Sequence, residues 1–147
     1  MSPLSLVGAL LLAIGASAAS QPLPPPGPPP ITIDQLRLTF AAQSGSNTVY
    51  FSGDSFGLDL PAQQTLAAQA RWLRANPIVS VRIEGHSDDR VTRDHALAMG
   101  ERRANAVRDF LILQGVPAAQ ISTISWGKER PATNGASSRA VTMLMPF

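Results

Sequence analysis

From Ile31 onward the chain carries two kinds of hydrophobic rhythm. Apolar residues alternate with polar ones from Ile31 to Ile33 and again from Leu36 to Phe40, which predicts a strand with one wet face. Ser44–Asn47 reads as a loop and Thr48–Phe51 as a strand; Asp54–Asp59 is again loop, with Gly53 and Gly57 as breakers. Pro61 suits a first helical turn, after which Leu66, Ala70 and Leu73 recur on one face beside Trp72 until Asn76-Pro77 ends the pattern. Val79, Val81 and Ile83 mark one face of a strand that ends at Gly85-His86-Ser87-Asp88. A second helix, starting near Arg93-Asp94, carries the stripe Leu97, Gly100, Ala104, Val107 and Leu111, and Gly115 and Pro117 close it. Ile121–Trp126 and Val141–Met145 predict two more strands, separated by a loop over Pro131–Ser138. The expected fold class is α+β: a mixed β-sheet with two helices packed on one face.

The residues before Ile31 follow neither rhythm. Leu4 to Ala19 is apolar or small throughout. The stretch is shorter than the ~20 residues that span a bilayer core. Ala16-Ser17-Ala18 fits the small-x-small rule for signal peptidase, so residues 1–20 are read as a secretory signal. An uncleaved anchor is the alternative, and membrane contact is expected only in that case. Residues 21–30 hold seven of the 13 prolines and read as a polyproline spacer, a stalk or tail for the domain over 31–147.

Composition narrows the function classes. The absence of cysteine excludes disulfides, thiolate metal sites, thiol catalysis and the acylated cysteine of a bacterial lipoprotein. The net charge is only +2, and all 22 charged residues lie from Asp34 onward. That is too small an excess for a nucleic-acid partner.

The chemistry concentrates in Glu84-Gly-His-Ser-Asp-Asp-Arg90 and Glu101-Arg-Arg103. A loop and part of a helix separate Asp88 from Arg103. If the helix folds back over the strand end, a carboxylate and a guanidinium face one pocket. Such a pair suits a zwitterion, with ammonium on Asp88 and carboxylate on Arg103. His86 and His95 are the only histidines and lack metal-site spacing, so no metal or cofactor is expected. Ser87 beside His86 and Asp88 supplies triad residue types, but sequence adjacency does not give triad geometry. An enzyme is not expected.

Gly85-His-Ser-Asp88, Gly100-Glu-Arg-Arg-Ala-Asn-Ala-Val107, Gly115-Val-Pro117 and Trp126-Gly-Lys-Glu-Arg-Pro131, in this order, resemble the OmpA-like peptidoglycan-binding domain, most closely its peptidoglycan-associated lipoprotein branch. The resemblance runs from about Thr48 to Met145. It implies a noncatalytic cell-wall module of the periplasm or outer membrane. Asp88 would hold the amine of meso-diaminopimelate in the peptidoglycan stem peptide, and Arg103 the neighbouring carboxylate. Ser87 would contribute main-chain contacts. Arg139 would stand for the second arginine of the family's Asn-Arg-Arg, which aligns with Ser137-Ser138-Arg139. The chain departs from the pattern at Val91, where glycine is usual, at Ala96, where a pocket asparagine is usual, and in a shortened loop between Gly135 and Arg139. The departures at Ala96 and Ser138 motivate an alternative, an envelope protein–protein adaptor with a degenerate pocket and a partner such as a Tol-type protein. A motor-stator-like subunit is disfavoured because residues 4–19 contain no carboxylate. On this reading, Asp88→Ala or Arg103→Ala abolishes binding to sacculi without unfolding the domain.

Overall fold

The computed structural model describes Gly15 and residues 20–147. The predicted signal or anchor over residues 1–20 lies almost wholly outside the described residues. Residues 20–32 are exposed and form neither helix nor strand. No helix among the described residues is long and apolar enough to cross a membrane.

Seven main elements follow: α1 (Ile33–Ser44), β1 (Thr48–Tyr50), α2 (Leu60–Ala75), β2 (Val81–His86), α3 (Arg93–Leu113), β3 (Ile121–Gly127) and β4 (Arg139–Leu144). The strands form one mixed sheet in the order β1-β4-β2-β3. β2 runs parallel to β3 and antiparallel to β4, and β4 is antiparallel to β1. The mixed α+β class expected from the sequence is therefore the one observed.

The strand expected over Ile31–Phe40 is instead the helix α1. Thr32 closes a capping box: its hydroxyl accepts from the Gln35 amide, and its own amide donates to the Gln35 side chain. Gly45, at φ 77°, ends the helix in the left-handed region. Leu36 and Phe40 are buried, whereas Leu38, which completed the apparent alternation, is 73% exposed. The side chains that matter are thus spaced four apart, and the helical period wins. Phe40 packs edge-on against Trp72 of α2, with ring centroids 5.1 Å apart.

Three helices, not two, share one core with the sheet. Leu36 and Phe40 from α1, Leu66 and Leu73 from α2, and Val107 and Leu111 from α3 meet Val49, Val81, Ile83, Ala140 and Leu144. The strand residues belong to one sheet face: Val49 opposes Ala140, and Val81 opposes Leu144. Gln69, fully buried on α2, donates to the Ser46 carbonyl and accepts from the Thr142 hydroxyl, so that polar position is satisfied. On the other sheet face, Glu84 accepts from Arg82 and from the Trp126 indole, while Arg130 stacks 3.5 Å over the Trp126 ring.

The feature that positions the site is the crossing of α3 over β2. A β-carbon on Gly85 would overlap the Gly100 carbonyl, and one on Gly100 would overlap Ser125 and crowd the Gly85 carbonyl. Two facing glycines let helix and strand approach backbone to backbone.

Candidate functional site

β2 ends at His86, and the chain turns through Ser87–Val91 before Thr92 caps α3 with its hydroxyl on the His95 amide. The pairing register shifts between Gly85 and His86. Beyond it the Ser87 amide donates to the Gly127 carbonyl at 2.8 Å, and Lys128 donates to the Val91 carbonyl at 2.8 Å. The turn is therefore fastened at both ends to the end of β3.

Asp88 sits in this turn with its side chain 22% exposed. One carboxylate oxygen accepts from the Arg90 amide at 3.2 Å and the other from the Arg90 guanidinium at 3.1 Å. The Arg90 side chain is 83% exposed. Asp88 lines two adjoining clefts. One, of about 310 Å3, also involves Tyr50, Phe51, Gly53 and the loop Gly135–Ser138. The other, of about 260 Å3, involves Gly53, Asp54 and Val91. Arg90 lines both.

Arg103 lies one helical turn beyond Gly100 and is 1% exposed. Its guanidinium donates to three carbonyls: Nε to Ser55 at 3.0 Å, Nη1 to His86 at 3.0 Å and Nη2 to Gly53 at 2.6 Å. It also lies over the Phe51 ring, 5.3 Å from the centroid. Burial lowers its pKa from the ordinary arginine value, and the negative charges of Asp88 and Asp54 oppose that shift. Asp88 and Arg103 thus feel one another electrostatically without forming an ion pair. Arg103 is a strut between α3, the end of β2 and the loop after β1; Asp88 is the group open to the clefts.

Ser87 is buried, with its amide committed to Gly127. The Arg139 guanidinium donates to the Arg130 carbonyl at 3.1 Å and lines neither cleft, although its neighbours Ser137 and Ser138 line the larger one. Ala96 is fully buried and lines neither cleft. His86 is 1% exposed, and neither ring nitrogen has a partner among the described residues. Its pKa falls to about 4, because burial and the charges of Arg139 and Arg130 outweigh the opposing charge of Glu84. No group of metal-ligating side chains occurs among the described residues. Sequence reasoning named Arg90 within the motif but assigned it no role, and it missed the carbonyl cage of Arg103. An arginine two residues beyond the aspartate of a turn was the available signal for the first.

A family model described as the OmpA family matches residues 50–141, the span from β1 through the start of β4. The chain belongs to the OmpA family. It is similar to the peptidoglycan-associated lipoprotein of Agrobacterium fabrum, at 52% identity over 83 residues covering 56% of this chain and 47% of that protein. It is 43% identical to the peptidoglycan-associated lipoprotein of Pasteurella multocida over 93 residues, covering 63% of this chain and 62% of that protein. The chain thus spans about half the length of the Agrobacterium relative. Among solved structures, the peptidoglycan-associated lipoprotein of Burkholderia pseudomallei matches with a TM-score of 0.65 and 33% identity, over 69% of this chain and 92% of that one. The C-terminal domain of Helicobacter pylori MotB matches with a TM-score of 0.62 at 18% identity, over 68% of this chain and 84% of that one, which shows a shared fold alone.

Proposed function

We propose that this domain binds peptidoglycan noncovalently in the bacterial cell envelope, on the periplasmic side, and that it recognises the meso-diaminopimelate of the stem peptide. The carrying observation is Asp88, a carboxylate held at the end of β2 and open to two clefts, with the buried cation of Arg103 behind it. An ammonium group of the ligand pairs with Asp88. The adjacent ligand carboxylate is drawn toward Arg103 and replaces the Gly53 or Ser55 carbonyl as an acceptor. Charge-assisted hydrogen bonds of this kind are roughly twice as strong as neutral ones. Ser87 holds the turn to β3 through its amide, and Arg139 supports the β4 side of the cleft beside Ser137 and Ser138. The names of the Agrobacterium, Pasteurella and Burkholderia relatives support peptidoglycan association. The role is binding and anchoring, not catalysis.

The adaptor alternative drew on Ala96 and Ser138: Ala96 lines neither cleft, whereas Ser138 lies in the wall of the larger one. Pull-down with purified sacculi tests the main reading. Wild type should co-sediment and Asp88→Ala should not. Equal retention of the two proteins would refute it.

A further inference from the structure

The Asp88 carboxylate is already occupied by a cation from its own chain. Both of its oxygens are taken by Arg90, one by the amide and one by the guanidinium. The guanidinium is held by this one ion pair and is 83% exposed, whereas the carboxylate is only 22% exposed. Nothing else among the described hydrogen bonds fixes the Arg90 side chain. The two clefts share Gly53, Asp88 and Arg90, so the Asp88–Arg90 pair stands where they meet.

We propose that Arg90 is an internal placeholder for the ligand's ammonium group and thereby sets the specificity of the site. The inference rests on the diaminopimelate reading and deepens it. A ligand ammonium that takes the place of the Arg90 guanidinium, where Asp88 meets both clefts, displaces it from the carboxylate. Displacement is inexpensive, because an exposed arginine pair contributes little and the released guanidinium regains water. It also opens a continuous path between the two clefts. Two consequences follow. A neutral or anionic ligand cannot displace Arg90, so the site rejects stem peptides whose diaminopimelate amine is blocked. And the carboxylate of the free site is not left unpaired: Asp88 is neutralised by Arg90, while Arg103 keeps its positive charge and is hydrogen-bonded to three carbonyls. The second consequence limits capture of stray cations at Asp88.

The experiment compares wild type, Arg90→Gln and Arg90→Lys. The probe is the tripeptide L-Ala-γ-D-Glu-meso-diaminopimelate, free or acetylated on its side-chain amine, titrated by NMR and calorimetry. Arg90→Gln should bind the free tripeptide about two- to fivefold more tightly, the range an exposed pair allows. It should show no gain for the acetylated peptide, and Arg90→Lys should stay near wild type. In wild type, the Arg90 side-chain NH resonance should move to its solvent-exposed position as the free tripeptide saturates. Unchanged or weaker binding by Arg90→Gln overturns the proposal, and weaker binding would mean that Arg90 grips the ligand itself. If no protein responds to either tripeptide, the diaminopimelate reading falls. Titration with n-butylammonium then decides Arg90 alone: Arg90→Gln must respond at lower concentration than wild type, and an equal response overturns the placeholder role.

Discussion

Arg103 donates to the His86 carbonyl at 3.0 Å, one helical turn after Gly100 meets Gly85 across the helix–strand contact. The two facts are linked. A guanidinium anchored on a helix can reach a strand carbonyl only if the helix axis lies close to the sheet, and the glycine pair sets that distance. The site is therefore built from a packing contact that carries no chemistry of its own.

The glycine pair should be the most sensitive packing position in the domain. Gly85→Ala drives a methyl into the Gly100 carbonyl, which is backbone and cannot rotate away. Overpacking on this scale should cost about 3 kcal/mol or more. Gly100→Ala meets the Ser125 hydroxyl, which can rotate by giving up its bond to the Leu97 carbonyl, and crowds the Gly85 carbonyl less closely, while alanine gains about 1 kcal/mol of helix propensity. Urea unfolding should rank Gly85→Ala well below Gly100→Ala in stability.

Arg103→Ala should unfold more readily than wild type, which corrects the expectation that this substitution spares the fold. It removes a fully buried side chain and the donors to three carbonyls. A loss of about 2–4 kcal/mol is expected. Arg103→Lys keeps the charge, but a single ammonium cannot span the three acceptors, so it should rescue stability only in part. Thermal unfolding beside sacculus binding separates the two effects.

Asp88→Asn is the cleaner test of binding. The carboxylate's partner is the amide and exposed guanidinium of Arg90, and such pairs contribute about 0–1 kcal/mol. The melting temperature should stay within a few degrees of wild type. Binding to sacculi should fall at least tenfold, since a charge-assisted pair is lost.

His86 makes stability pH-dependent in a defined window. Its folded pKa of about 4 lies below the ordinary value of 6.5. Above pH 6.5 the ring is neutral in both folded and unfolded chains, and no proton is exchanged on unfolding. As pH falls toward 4 the unfolded chain takes up a proton that the folded chain refuses, and stability declines. The loss is at most about 3 kcal/mol, and smaller after solvent screening of the flanking charges. His86→Gln should flatten the difference in unfolding free energy between pH 7 and pH 4.5. An unchanged slope would remove His86 as its cause.

The sequence carried much of this arrangement in advance, for identifiable reasons. The periods of α2 and α3 were clean because each buries one continuous face, and β2 was legible through Val81 and Ile83 although Glu84 and His86 on its other face are buried too. α1 was misread because Leu38 fell by chance into an alternating pattern, although Thr32, Gln35 and Gly45 already spelled out the caps of a helix. Asp88 and Arg103 could be paired by spacing and residue type. Their different settings could not be, because the acceptors around Arg103 are main-chain carbonyls of Gly53, Ser55 and His86, and a carbonyl leaves no trace in residue type. The crossing of Gly85 and Gly100 was visible only as two glycines, one at a strand end and one within a helical stripe.

The attachment of α1 has a mechanical meaning. Any tension carried by the exposed proline-rich stretch enters the folded domain at Thr32 and must pass through α1 before it reaches the sheet. α1 is fastened by the Phe40–Trp72 contact, by the Arg37 hydrogen bond to the Leu144 carbonyl and by the buried faces of Leu36 and Ser44. None of the residues lining the two Asp88 clefts belongs to α1, so the clefts would keep their walls if this first helix came away.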